Sequence, residues 1–277
     1  MVKIGMAQLL VEGGEPERNF QRAELLVVEA AKQGCEIVLL PECFDLGWTH
    51  LSATTEAELI PGPRSEELCA LARKYNIHIC GGLTERDDDA VYNAALLIDG
   101  SGKILLKYRK INVLEVSFPF YGIGDHLAVV DTDFGKIGVN ICSDNFSDAL
   151  DIGFVLGRMG ARLLLSPSSW TVDYSATEQK NPYAEKWAGP YETLAKAFDM
   201  AVVSATAVGT ILGGPYEGKK MVGCSLAVTK DGIIASGNYN EFASELITAD
   251  VALSAQPHRG TQIGLRLAEL DLLAFRK

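Results

Sequence analysis

The sequence predicts one layered α/β domain built on a mixed β-sheet, on three observations. Short apolar runs of strand length alternate with segments whose apolar residues recur at helical spacing. Consecutive strands are joined by helices in some places and by tight turns in others, which requires both parallel and antiparallel pairing. Runs such as ARLLLS, Ala161 to Ser166, are apolar at odd and even positions alike, the pattern of a strand covered on both faces. With 277 residues, 48% of them hydrophobic, the chain can bury a large core, and no linker, internal repeat or low-complexity tract divides residues 1–277.

The elements follow in order. Val2 to Leu10 reads as a buried strand. Between Asn19 and Gln33, the residues Phe20, Ala23, Leu26, Val27, Ala30 and Ala31 share one helix face, and Gly34 is placed to end that helix. Glu36 to Leu40 is a second strand, running straight into PECF. A helix from Ser65 to Tyr75 leads to strands in IHICGGL and VYNAALLI, and Asp99-Gly100 turns the chain into KILLKYRK. LAVVD and KIGVNIC continue the sheet. Phe146 to Met159 reads as a helix, ARLLLSPSSW as a strand with a polar loop, Ala188 to Phe198 as a helix, and AVVSATAV as another strand. The last third reads as hairpin β around Lys230-Asp231-Gly232. Residues 255–277 form a partly amphipathic tail that packs either on its own domain or against a second subunit.

Composition removes several function classes. The formal net charge of −11 disfavours a phosphate backbone or an anionic membrane surface, both of which are bound through clustered Lys and Arg. No window reaches the roughly 18 apolar residues of a membrane span, and the N-terminus has no secretory apolar region, so a cytoplasmic protein is expected. Six cysteines without a CxxC read as free thiols, and four isolated histidines give no metal-ligand spacing. GGPYEGKK, 213–220, approaches a phosphate-binding loop but has Lys220 where Ser or Thr would be needed, and reads as a loop near the site.

The informative residues are polar groups that close apolar strands. Glu42 follows IVLLP, Lys110 closes ILLKYRK and Cys142 closes IGVNI. Ligands of α/β sheets sit beyond the carboxyl ends of strands, so three such groups converge on one pocket if the strands run the same way. Alternation in KYRK places Tyr108 and Lys110 on one face and Lys107 and Arg109 on the other. The set has a chemistry. A thiol is a weak nucleophile until a base takes its proton, a glutamate can be that base, and a lysine supplies positive charge where a tetrahedral oxyanion develops.

LLPECF, KYRKIN and GVNICSDNF resemble, in order and spacing, the three signature segments of the nitrilase superfamily, the carbon–nitrogen hydrolases. The likeness extends to VKIGMAQ, LLLSPSSW and GCSLAVTKDGIIAS, nearly the whole chain. What the resemblance implies is a single-domain, four-layer αββα sandwich, assembled as a homodimer or larger homo-oligomer. It further implies a Glu42-Lys110-Cys142 triad with no cofactor and no metal, and an oxyanion held by Lys110 and the backbone N–H of Ser143. It implies a cysteine thioester on the way to hydrolysis of a small linear amide. Glu115 is the acid placed to stand for the family's second glutamate. Trp48, Tyr121, Asn145 and Trp170, with the aromatics Phe118 and Phe120, are candidates for the substrate pocket. Ser143-Asp144 after the cysteine departs from the Trp-Glu of true nitrilases, which weakens a nitrile substrate; Asp199 and Thr206 replace the Glu and Asn common in relatives. An N-carbamoyl amine remains the alternative substrate, and nucleotide binding or a non-catalytic scaffold the alternative functions.

Overall fold

A computed structural model of the chain describes residues 1–180 and 182–255. The tail beyond residue 255, for which either packing was expected, lies outside the described residues. The chain opens with β1 (Val2–Leu10), α1 (Pro16–Lys32) and β2 (Ile37–Leu39), then α2 (Ala53–Glu56) and α3 (Pro63–Tyr75). β3 (His78–Asp87), β4 (Ala90–Ile98) and β5 (Ile104–Arg109) follow, then β6 (Val129–Thr132) and β7 (Gly135–Val139). The second half holds α4 (Asp151–Met159), β8 (Leu163–Ser168), β9 (Thr171–Val172), α5 (Tyr183–Phe198) and β10 (Ala201–Thr210). β11 (Lys220–Val222), β12 (Leu226–Thr229), β13 (Gly232–Ser236) and β14 (Glu245–Val251) complete it.

The strands run in the order β5-β4-β3-β2-β1-β10-β8-β7-β6. β1 and β10 pair in register only at Leu9↔Ala207 and Leu10↔Val208, so the path divides there into two sheets. The mixed pairing is as predicted: β1 and β2, β2 and β3, β7 and β8, and β8 and β10 are parallel, while β3–β4–β5 and β12–β13 are antiparallel meanders. Period-two alternation separates two cores. Ile4, Met6, Ile37, Leu39, Ala95 and Leu97 meet Ile137, Val139 and Leu163 from the other sheet. The alternate residues Ala7, Leu9, Val38, Leu40, Leu96 and Ile98 pack on α1 and α3. With α4 and α5 covering the second sheet, the layers are α-β-β-α. At the end of α1, Gly34 takes φ +75 and sends its N–H to Ala31 O, while Cys35 N–H reaches Ala30 O, so the glycine closes the helix as its position predicts.

Two helix starts differ from the sequence reading by more than a turn, whereas α1 and α3 begin only three and two residues before the expected Asn19 and Ser65. α4 starts at Asp151 instead of Phe146, because a 3-10 turn over Cys142–Asn145 and an extended Phe146 occupy the stretch before it. α5 starts at Tyr183 instead of Ala188; Gly189 and Pro190 mask the pattern, although Pro190 lies inside the helix. No helix among the described residues is long and apolar enough to cross a membrane.

Candidate active site

β5 runs parallel to β2 through the β3–β4–β5 meander, and β7 runs parallel to β1 through β8 and β10. The C-terminal ends of β2, β5 and β7 therefore point the same way, and Glu42, Lys110 and Cys142 meet beyond them. Together they line one cavity of about 270 Å³.

Glu42 is held by its backbone as much as by its side chain. Its N–H reaches Ser168 O at 3.3 Å and its carbonyl accepts from Ser169 Oγ at 3.3 Å. Gly82 in β3 lets this loop lie against the sheet: a Cβ there would sit 2.6 Å from Glu42 Cα. Only a residue without a side chain fits such an approach. The Glu42 carboxylate is 1% exposed and pairs with Lys110, 2% exposed, at 2.7 Å. Tyr108 is buried beside Lys110 while Lys107 and Arg109 turn outward to Glu85, as alternation requires.

Cys142 heads the 3-10 turn after β7 with φ +45, a left-handed conformation that costs a non-glycine residue and recurs at functional turns. Asp144 pins that turn: its carboxylate accepts from Ile141 N–H at 2.8 Å, Asn112 N–H at 2.9 Å and Tyr108 O–H at 2.7 Å. Burial pushes the Cys142 thiol up to about 12, with the Glu42 carboxylate adding to the rise and Lys110 and the Ser169 N–H opposing it. The resting sulfur is thus a neutral thiol facing the Glu42 carboxylate. Burial works to lower the Lys110 pKa, but the acidic groups Glu42, Cys142 and Asp144 outweigh it, so the ammonium stays above its ordinary range. Burial also raises Asp144, against Lys110 and its three donors.

The other expected residues separate. Trp48 lines the cavity. Tyr121 lies behind it, its hydroxyl accepting from Thr49 N–H at 3.0 Å, and Trp170 lies behind Trp187, stacked at 4.7 Å. Asn145 is buried in a reciprocal amide pair with Asn140 and donates to Ser166 Oγ at 2.9 Å. Glu115 is exposed on a short 3-10 turn and its carboxylate pairs with no cation among the described residues; the acid beside Lys110 other than Glu42 is Asp144. Ser143 N–H sits in the first turn of the 3-10 segment, where backbone donors lack intrahelical partners. Phe118 is exposed, whereas Phe120 packs against Tyr121. The remaining wall, which sequence reasoning did not select, consists of Ser169 and Thr171 together with Leu114, Phe146, Tyr183, Lys186, Trp187 and Tyr216. Tyr183 and Trp187 stand four residues apart on α5, a spacing hidden by the misplaced helix start. Asn93, a polar residue inside the apolar strand VYNAALLI, donates to Glu42 Oε1 at 2.6 Å and was the signal available for it. Asp199 caps α5 and pairs with Lys230, and Thr206 bonds Ser225, so neither enters the cavity.

The residues 3–256 match the family described as carbon-nitrogen hydrolase. The chain belongs to the carbon–nitrogen hydrolase family. It is 33% identical to a nitrilase of Pyrococcus abyssi over 227 residues, 80% of this chain and 81% of that one. It is 31% identical to the omega-amidase NIT2 of Xenopus tropicalis over 61% of this chain, a match that spans 64% of that relative's length. Among solved structures, this carbon–nitrogen hydrolase superposes with TM-score 0.76 and 25% identity on Nit3 of Saccharomyces cerevisiae, a member of branch 10 of the nitrilase superfamily, covering 90% and 89% of the two chains. An amidase of Nesterenkonia sp. AN1 shares the fold with TM-score 0.78 at 18% identity over 98% of both chains. The four-layer carbon–nitrogen hydrolase architecture and the enzyme class stand on these likenesses together.

Proposed function

We propose that the protein hydrolyses the C–N bond of a small linear amide through a thioester on Cys142. The observation that carries this reading is the buried Glu42–Lys110 pair facing the Cys142 thiol in an aromatic-walled cavity. Glu42 takes the S–H proton as sulfur bonds the carbonyl carbon, and the carbonyl π pair moves onto oxygen. Lys110 and the Ser143 N–H hold that oxyanion. The oxyanion collapses, the C–N bond breaks, and Glu42 passes its proton to the departing amine. Water then gives Glu42 a proton as its oxygen attacks the thioester, the C–S bond breaks, and Glu42 returns the proton to sulfur. The net change is amide plus water to acid plus ammonia or amine.

Trp48, Phe146, Tyr183, Trp187 and Tyr216 favour a flat or slender acyl group, and exposed Lys186 sits among those rings at the mouth. The omega-amidase relatives support a terminal amide as the scissile group. Nitriles belong in the test because the Pyrococcus relative carries that name. The experiment incubates wild type and Cys142→Ala with terminal amides, N-carbamoyl amines and nitriles, following ammonia and intact protein mass. Ammonia release with an acyl adduct on wild type alone is the expected result, and carbon dioxide alongside ammonia would mark a carbamoyl substrate. Turnover retained in Cys142→Ala would refute the mechanism.

A further inference from the structure

Both side chains that hold Glu42 bond the same oxygen. Lys110 Nζ lies 2.7 Å from Oε1 and Asn93 Nδ2 lies 2.6 Å from it, while no N–H or O–H donor among the described residues reaches Oε2. A carboxylate only accepts, so the nitrogen of the Asn93 amide is the end that faces it. Resting on the reading of Glu42 as base, the geometry points to Asn93 as a positioning residue. Together with Lys110 it reserves Oε2 of Glu42 as the oxygen that takes the proton from Cys142 Sγ and hands it to the leaving nitrogen.

Four features separate this role from ordinary core packing. Asn93 is 1% exposed and shares its strand face with Ala95 and Leu97, which enter the apolar core between the sheets. Its Oδ1 is buried without a hydrogen-bond partner among the described residues, so the amide carries a desolvation cost that an apolar side chain would avoid. Among the described residues, its one side-chain bond goes to Glu42. Its backbone carbonyl also accepts from Lys110 N–H at 2.8 Å, so one residue fixes both members of the pair from one point on β4. Without Asn93 the flexible ammonium is the sole donor, free to bridge both oxygens and to occupy the one that faces the thiol.

The titratable and charged groups around Glu42 are Lys110, Cys142 and Cys43, with Asp144 behind Lys110 and Tyr121 behind Cys43. Replacing Asn93 by Ala or Leu changes none of these charges and removes one donor to the Glu42 carboxylate, and losing a donor disfavours the charged form of a carboxyl group. The test needs no substrate. The second-order rate of iodoacetamide alkylation at Cys142 is measured from pH 5 to 10 in wild type, Asn93→Ala and Asn93→Leu, by intact mass and peptide mapping, beside the Tm of each. The expected result is an acid limb displaced upward by about one pH unit, a roughly tenfold slower reaction on that limb, with Tm unchanged or higher. Profiles that superimpose on wild type in both variants would overturn this inference alone. Loss of fold in both would also overturn it, by making the amide a structural requirement. Wild-type Cys142 reacting no faster than buried Cys43 or Cys80 would overturn it together with the proposed function.

Discussion

Replacing Lys110 by Met tests the centre of the site, because the pair it breaks is dry. Lys110 and Glu42 are 2% and 1% exposed and 2.7 Å apart, so neither solvent screening nor salt softens the loss. The methionine keeps most of the side-chain volume, and what remains is two buried carboxylates with neutral donors only. Glu42 keeps Asn93, and Asp144 keeps Tyr108 and two backbone N–H groups. Breaking a buried pair by removing one partner costs about 3–5 kcal/mol. At about 2–4 °C per kcal/mol for a domain of this size, Tm should fall by roughly 6–20 °C at pH 7. The assay is a double-mutant cycle with Glu42→Gln, read by urea denaturation. The double variant should be more stable than the two single losses add up to, with a coupling of about 1–3 kcal/mol. Stability of Lys110→Met within experimental error of wild type, or strict additivity in the cycle, would refute the buried pair.

Four further outcomes follow from individual contacts. Glu42→Gln removes a charge that raises the Cys142 thiol, so alkylation of Cys142 should persist with its thiol midpoint below about 12, while amide turnover drops at least roughly 10²-fold; a midpoint at or above that of wild type contradicts the assignment. Tyr108→Phe deletes a 2.7 Å donor to a buried carboxylate and should cost about 1.5–3 kcal/mol in urea denaturation, a loss that an unchanged midpoint would exclude. Gly82→Ala forces a Cβ to within 2.6 Å of Glu42 Cα and 2.8 Å of Cys43 N, so the native circular dichroism spectrum should survive with activity reduced on the order of 10²-fold, and full activity would sink the argument. Burial lowers the His78 pKa below its unfolded value, so the unfolded chain binds more protons and this group's contribution to stability rises as pH climbs from below its folded pKa to about 6.5. Raised carboxylates such as Asp144 act in the opposite sense, which makes the difference between wild type and His78→Gln the readout: the variant's stability should climb less over pH 5–7.

The layered fold was legible because it rests on periodicity, which a sequence displays directly. Ile4 and Met6 against Ala7 and Leu9 show the two-sided burial of β1 as plainly in the letters as in the coordinates. Glu42, Lys110 and Cys142 were legible for a related reason, since each interrupts an apolar strand at its end. The supporting residues were not, because their roles depend on pairings far apart in sequence. Asn93 stands 51 positions from Glu42, and nothing in VYNAALLI says that its amide crosses a strand end to a carboxylate. Asp144 was read as a departure from the family pattern, yet its three accepted hydrogen bonds show that it holds the Cys142 turn in place. The aromatic wall failed for a local reason: Pro190 within α5 hid the helical register that brings Tyr183 and Trp187 to the cavity. Trp170 and Tyr121 were drawn from the correct loops, but each turns its ring into the packing behind the residue that lines the site.

The buried charges explain why the chemistry waits for substrate. Asp144 accepts three hydrogen bonds and Glu42 is held by Lys110 and Asn93, so each carboxyl group of the cluster and its one ammonium already has fixed partners. Losing the Cys142 proton to solvent would add a negative charge in a dry site, which is why the thiol is pushed up to about 12. Passing that proton to Glu42 leaves the total unchanged. In the proposed mechanism the negative charge then moves from sulfur to the amide oxygen beside Lys110, again without changing the sum, and the leaving amine departs neutral with the proton from Glu42. Every step is a relocation of one charge among fixed partners, and a low-dielectric site favours such relocations over net ionisation. In the proposed mechanism the same burial that disfavours a free thiolate thus makes an electrophilic carbon within reach of Sγ the condition for forming the nucleophile.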